Sequence, residues 1–333
     1  MNIQLINLEY ETYNDPKYKN NYALEQIRKH HEALGDKVYS YREGVPLLIY
    51  DKTYVSSIFT WTKEKKEAQE ILKYANDSWE FGGTGFDILK RLPCEIEQIK
   101  VNKNFGWTQR GCNNKCVFCV VHKKEGCAHE VGDLYDIWDG KSRRITLYDN
   151  NILQLPKHFL WICSQIRKED IKVDWNQGLD IRLVNDDVAK ELSTIKHAEY
   201  HFAFDNSSLD KIIAEKVEIL KKYDINCSIF YMIVGIQDKK GKTAKEDIED
   251  ALYRLKLLKQ LGQNAMVMRY RKVSDDQPET LINSETKNLY IPVANWGSVH
   301  SAFQSMDFYN DYLSKHERGM PYKQYFDEMG IAI

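Results

Sequence analysis

The sequence has no apolar run long enough to cross a bilayer, so no membrane association is expected. It has no excess of one charge. Forty-seven Lys and Arg stand against 49 Asp and Glu, a formal net charge of -2. That balance provides no electrostatic footprint for a nucleic acid, which is not an expected partner, although a small nucleotide remains compatible with it. Met1 to Tyr10 shows no basic segment leading into an apolar one. No secretory leader is therefore read, and a cytoplasmic setting is expected. An even cysteine count is missing too. Cys94, Cys112, Cys116, Cys119, Cys127, Cys163 and Cys227 are seven in a chain of 333 residues, which argues against a disulfide framework. Rings are abundant: 21 Tyr, 12 Phe and 7 Trp can build cores and can also line a pocket for a planar ligand.

The first hundred residues alternate strand and helix signals. Ile3 to Leu8, Lys37 to Tyr41, Leu47 to Tyr50, Tyr54 to Phe59 and Trp79 to Phe81 read as strands, with helices over Tyr22 to Leu34 and Glu64 to Tyr74. Short-spaced alternation predicts a parallel sheet in an α/β domain over 1–100. Gly82-Gly83-Thr84-Gly85 closes this region; it does not follow the first strand, so it is read as a turn or domain junction rather than a dinucleotide fingerprint. A second region spans 101–275. Its strands are Arg144 to Leu147, Lys172 to Trp175, His201 to Phe204, Ser228 to Val234 and Met266 to Tyr270. Helices over Lys157 to Arg167, Asn185 to Ile195, Leu209 to Tyr223 and Lys245 to Leu261 separate them. This repeat predicts helices outside a curved or barrel-like parallel sheet. Residues 276–333 read as an irregular, aromatic-rich cap or extension.

Three cysteines crowd one segment, Gly111-Cys112-Asn113-Asn114-Lys115-Cys116-Val117-Phe118-Cys119, with the spacing C-x3-C-x2-C. Three thiolates on one loop can hold three irons of a cubane [4Fe-4S] cluster and leave the fourth iron open. An open iron can chelate the amino and carboxylate groups of S-adenosylmethionine. The competing reading is a structural zinc knuckle completed by His122, Cys127 or His129. Cys94, Cys163 and Cys227 sit in apolar settings and read as small core residues.

This segment resembles the signature of the radical S-adenosylmethionine superfamily, C-x3-C-x-aromatic-C, with Phe118 in the aromatic slot. The resemblance covers roughly residues 105 to 275. It implies a partial (β/α)6 barrel, a [4Fe-4S] cluster on Cys112, Cys116 and Cys119, and a 5'-deoxyadenosyl radical that abstracts a substrate hydrogen. It also implies an external one-electron reductant such as flavodoxin or ferredoxin. Gly82-Gly83-Thr84-Gly85-Phe86-Asp87, Leu147 to Asn151, Gln177 to Arg182 and Phe202 to Asn206 resemble stretches of a subset with an N-terminal Rossmann-like, cobalamin-type domain. The ligand motif Asp-x-His-x-x-Gly is absent: His30-His31 is followed by Glu32-Ala33-Leu34-Gly35, without the aspartate two positions before. No cobalamin is expected, and the N-terminal domain reads as degenerate.

Polar residues follow successive strands: Asp149, Asn150 and Asn151; Asn176, Gln177, Asp180 and Arg182; Asp205 and Asn206. Loops after the strands of a parallel barrel form one rim, so these clusters are expected to converge. A plain helix-capping role is the competing reading, evenly balanced for Asn206. Asp149, Asn151, Asp180 and Asp205 are the candidate catalytic residues. Arg182 suits the methionine carboxylate through its planar fork, and Phe118, Asn150, Gln177, Val234 and Gly235 are further candidates around S-adenosylmethionine. Met232 reads as core, and Arg269 as facing a ligand or a buried acid.

A second cysteine set is absent, which disfavours sulfur insertion. The N-terminal domain and the strand-end motifs are similar to those of the queuine lyases within the superfamily. That resemblance implies release of queuine from queuosine or queuosine 5'-phosphate. The alternatives are radical chemistry on another modified nucleoside or small metabolite and, in a different class, a structural zinc or nucleic-acid-binding protein.

Overall fold

Residues 1–41, 50–238 and 240–331 are described by a computed structural model. The chain forms two units: Met1–Gly106 with Lys123–Glu125 and Tyr135–Gly140, and Trp107–His122 with Gly126–Leu134 and Lys141–Ile333.

In the first unit, side chains on alternate positions of β1 (Asn2–Asn7) point to opposite faces and seed two cores. Ile3 and Leu5 pack with Leu24 and Ile27 of α2 (Tyr22–Ala33), while Ile6 packs with Ala68 and Ile71 of α3 (Lys66–Leu72). With β2 (Lys37–Ser40), β3 (Lys52–Ser56) and β4 (Trp79–Gly82), β1 forms a parallel sheet in the order β2-β1-β3-β4. The short helices α1 (Leu8–Tyr13) and α4 (Cys94–Glu97) and the two-residue strand β5 (Phe105–Gly106) complete the unit's named elements. Residues 47–49 of the strand expected at Leu47 to Tyr50 lie outside the described residues. The strand expected at Tyr54 to Phe59 ends at Ser56 because the next backbone turns onto a buried carboxylate. Ser57 Oγ and the N–H groups of Ile58 and Phe59 donate to Glu9 Oε1 at 2.8, 2.7 and 3.0 Å. The helix expected at Glu64 to Tyr74 begins at Lys66, because Lys65 is extended (φ -72°, ψ 147°).

In the second unit, β6 (Gln109–Arg110) and β7 (His129–Glu130) pair antiparallel and bracket the cysteine loop and α5 (Val121–Lys124). Five parallel strands follow: β8 (Arg144–Leu147), β9 (Lys172–Trp175), β10 (His201–Ala203), β11 (Ile229–Val234) and β12 (Asn264–Arg269). β8 pairs with β9, and β10-β11-β12 form a sheet; single bridges at Val173–His197 and Leu179–Phe202 join the two groups in chain order. The intervening helices are α6 (Pro156–Glu169), α7 (Asp186–Ser193), α8 (Asp210–Lys222) and α9 (Ala244–Gln260). A capping box closes the N-terminus of α9, where Thr243 and Glu246 exchange bonds.

Alternation along the strands separates two faces. Val173, Trp175, Phe202, Phe230, Met232 and Val267 are buried, whereas Asp174, His201 and Tyr231 are half-buried, and Ala203, Met266 and Met268 are exposed. The segment after Ser274 is more helical than its composition suggests. It holds α10 (Lys287–Ser298), α11 (His300–Ser305), a π-helical turn (Phe308–Leu313) and α12 (Lys323–Met329). Within it, Trp296, Phe303, Phe308, Tyr312 and Phe326 pack ring on ring at 5.1–6.1 Å.

Candidate active site

The cysteine loop is shaped by one glycine that no other residue could replace without displacement. Gly111 sits at φ +74°, and a Cβ there would lie 2.1 Å from the Cys127 carbonyl oxygen. This close approach lets Cys112 N donate to the Gly126 carbonyl at 3.0 Å. Asn113 ties the loop on two sides: its N–H donates to Gln154 Oε1 at 2.8 Å, and its Oδ1 accepts from Ala128 N at 3.0 Å. Cys119 N closes a turn onto the Cys116 carbonyl at 3.0 Å. Phe118 is held from outside the loop, since buried Gln277 donates to its carbonyl at 2.8 Å.

Cys112, Cys116 and Cys119, none of them in a disulfide, line one cavity of about 680 Å³. The same cavity is lined by Phe118, by Asn150 and Asn151 after β8, by Gln177, Asp180 and Arg182 after β9, and by Asp205 and Asn206 after β10. The three strand-end clusters thus meet the thiols in one place.

Arg182 and Asp180 form a bidentate pair, Nε to Oδ1 at 2.7 Å and Nη2 to Oδ2 at 2.6 Å. Asn114 adds a bond to Asp180 Oδ2 at 3.0 Å, and Asn151 a longer one at 3.4 Å. Burial works to raise Asp180, but the bonds from Arg182 and Asn114 outweigh it and hold the carboxyl below its ordinary value. Asn151 is buried, its N–H donates to Gln109 Oε1 at 2.9 Å, and its own Oδ1 has no hydrogen-bond partner. Asp205 accepts from Ile233 N at 2.9 Å; burial pushes it up, against the nearby Arg254 and Arg182.

Burial, then the neighbouring Cys119, Asp205 and Cys112, push the Cys116 thiol up to about 11, with Arg182 the one opposing charge. A ligating cation reverses that balance and deprotonates such a thiol. Three thiols lining one cavity together with charged and amide side chains fit a cubane with one iron left free. Among the described residues, no three His, Cys, Asp or Glu side chains form a group suited to a single metal ion. This does not bear against a cubane, whose thiolates each take a different iron and need not converge on one point. His122, Cys127 and His129 do not line the cavity; His129 Nδ1 lies 2.8 Å from the Cys127 carbonyl oxygen.

Three expected positions fall elsewhere. Asp149 is 2% exposed and lies outside the cavity lining. Its Oδ1 accepts from Thr108 N and Gln109 N at 2.6 and 2.9 Å, and its Oδ2 from Thr108 Oγ1 at 2.8 Å. These bonds anchor the segment leading into the cysteine loop. Gly235 is already engaged: its N–H donates to Asp247 at 2.6 Å, and Ile282 covers the position where a Cβ would stand. Val234 is core. Met232 is also buried, and Arg269 is exposed without lining the cavity. Two residues that pattern reading passed over contribute. Gln109 is buried and donates to the Arg110 and Gly111 carbonyls at 2.8 and 2.7 Å. Arg254 is 1% exposed and lines the cavity. It donates to the Phe204 carbonyl at 2.7 Å and to Asp250 at 2.8 Å. The i, i+4 spacing of Asp250 and Arg254 was the available signal, but it reads as a surface pair.

No protein-family model and no curated protein matches the chain. Among solved structures it is similar to the radical S-adenosylmethionine methyltransferase TsrM from Kitasatospora setae, determined with cobalamin and a [4Fe-4S] cluster bound. The TM-score is 0.58 at 11% identity, over 80% of this chain and 74% of that one. Methylornithine synthase (PylB) aligns at a TM-score of 0.40 and 9% identity, over 73% of this chain and 90% of that one. The likeness to the methyltransferase is one of fold, a radical-S-adenosylmethionine-like partial barrel with additional α/β elements.

Proposed function

We propose that this chain is a radical S-adenosylmethionine enzyme acting on a small molecule, a modified nucleoside or another small metabolite. One observation carries the reading: the three thiols of the C-x3-C-x2-C loop share a single cavity with the Asp180–Arg182 pair and the strand-end amides. Cys112, Cys116 and Cys119 would hold the cluster. Bound there, a [4Fe-4S] cluster supplies the electron that splits S-adenosylmethionine, delivered from an external reductant. The chain's own groups bind and orient. Arg182, locked to Asp180 through Nε and Nη2, leaves Nη1 for a carboxylate. Asn151 Oδ1 is an acceptor for an ammonium or hydroxyl. Phe118, pinned by Gln277, offers a ring beside the cavity for a planar base.

Cobalamin is not part of the proposal. Both ring nitrogens of His31 are engaged, Nδ1 with Asp36 at 2.7 Å and Nε2 with the Tyr54 hydroxyl at 3.0 Å. Release of queuine from queuosine or queuosine 5'-phosphate is the named reaction to test first within the substrate class. The experiment is anaerobic incubation of reconstituted protein with S-adenosylmethionine, a reductant and each candidate, followed by mass spectrometry. 5'-Deoxyadenosine should appear and should vanish in Cys116→Ala. Formation of 5'-deoxyadenosine at a rate unaffected by the queuosine compounds would end the queuine assignment alone; none under any condition would end the class assignment.

A further inference from the structure

The half-buried face of the second unit's sheet carries a cluster of polar side chains that the cavity lining does not include. Asp174 on β9, His201 on β10 and Tyr231 on β11 occupy the alternate positions opposite the buried Val173, Phe202 and Phe230. The His201 and Tyr231 rings stack at 5.0 Å with an interplanar angle of 10°. The Tyr231 hydroxyl donates to the Asn176 carbonyl at 2.9 Å, which fixes the pair in place. The stack abuts the cavity wall. A Cβ on Gly178, which lines the cavity, would come within 3.4 Å of the Tyr231 ring and 3.3 Å of the His201 carbonyl. Ala203, also on the wall, pairs in register with Tyr231.

Two polar atoms in this cluster are buried and have no hydrogen-bond partner, Asp174 Oδ1 and His201 Nδ1. Asp174 Oδ2 accepts from Arg144 Nη2 at 3.2 Å, so the carboxylate is oriented and only one oxygen is left free. A buried acceptor without a donor is costly, and folds retain one mainly where a ligand or water completes it. The adjoining strand adds apolar surface: Met266 and Met268 are each 41% exposed. Rings and methionines beside two unfilled hydrogen-bonding atoms match a planar heterocycle bearing polar edge groups.

We infer that this face is the substrate subsite, and that Asp174 and His201 recognise the substrate as a planar nitrogen heterocycle, Asp174 Oδ1 accepting from its ring N–H and His201 Nδ1 making the second bond. The inference rests on the radical-enzyme reading for the identity of the substrate, and it assigns binding rather than a step of the reaction. Anaerobically reconstituted holoenzyme with S-adenosylmethionine and no reductant is titrated calorimetrically with guanosine, queuosine, queuosine 5'-phosphate and 1-methylguanosine, whose ring N–H is blocked. At least one of the first three should bind, and 1-methylguanosine should bind more weakly than guanosine. Asp174→Asn and His201→Gln should each weaken binding about tenfold or more, the loss expected when a charged or buried hydrogen bond is removed. Iron and sulfide content should match the wild type; where Asp174→Asn fails to load its cluster, His201→Gln decides by the same criterion. Equal affinity in the variants, or no binding of any of these compounds by the wild type, overturns the inference. Failure of the radical reading looks different: no sulfide and no 5'-deoxyadenosine from the wild type, with heterocycle binding still lost in the variants.

Discussion

Replacing Asp149 tests how the cysteine loop is anchored. The carboxylate accepts from two backbone N–H groups and one hydroxyl, and both donor residues, Thr108 and Gln109, are fully buried. Alanine would leave two buried N–H groups without an acceptor at about 1–3 kcal/mol each, so a local loss of about 3–5 kcal/mol is expected. Asparagine keeps one oxygen for both N–H groups, and its amide can donate to the threonine hydroxyl, so its cost should be about 1 kcal/mol. The two units need not unfold together, so the readout is hydrogen exchange of the segment 107–112 rather than a global midpoint. Exchange there should rise by about two to four powers of ten in Asp149→Ala. The pH dependence has a defined sign. Burial pushes Asp149 from 3.8 up to about 6, with the Gln109 and Thr108 bonds opposing. The folded state therefore holds the proton more tightly than the unfolded chain. The stability added by the bound proton is full below about pH 3.8, falls as pH rises and is gone above about 6, a change of about 3 kcal/mol, while the hydrogen bonds to the ionised carboxylate remain. Asp149→Asn should lack that slope. Wild-type-like exchange in the alanine variant, or the same slope in the asparagine variant, would refute the anchoring argument.

Three further outcomes are expected. Gly111→Ala places a Cβ 2.1 Å from the Cys127 carbonyl oxygen. It should lower iron and sulfide loading well below that of Gly126→Ala, which shares φ +74° but meets nothing within 4 Å; equal loading would contradict the close-approach argument. Arg182→Lys exchanges a bidentate fork for a point charge, so KM for S-adenosylmethionine should rise about tenfold with a smaller change in kcat; an unchanged KM would remove Arg182 from the binding role. Arg254→Met leaves Asp250 and the Phe204 carbonyl without their donor and should destabilise the second unit by about 3–5 kcal/mol in thermal unfolding, against no shift if the arginine is a surface group.

The strand–helix repeat of the second region was legible because each element carries its own periodicity. Residues Arg144 to Leu147 and Lys172 to Trp175 are strands at the expected bounds, and the four helices agree within two residues at every end. Convergence of Asn151, Asp180 and Asp205 with the cysteines followed from topology alone, since all lie after parallel strands. Long-range partners were not legible. Nothing local in the sequence marks Gln277 as the donor to Phe118, 159 positions away, or Arg254 as a buried strut for Phe204. Asp149 shows a further gap. Its place after a strand is the same as that of its neighbours, but its side chain turns toward Thr108 rather than into the cavity, and only the packing around it decides which. The half-buried face of the sheet was missed for a related reason. Asp174, His201 and Tyr231 each look like ordinary strand residues, and their shared face exists only once the strands are paired.

The central claim is tested most directly by electron paramagnetic resonance of the reduced, anaerobically reconstituted protein, quantified against iron and sulfide. About four irons and four sulfides per chain are expected, with a reduced-cluster signal that changes when S-adenosylmethionine is added, and loss of both in Cys116→Ala. One tightly bound zinc with no sulfide, or a cluster signal indifferent to S-adenosylmethionine, would contradict it.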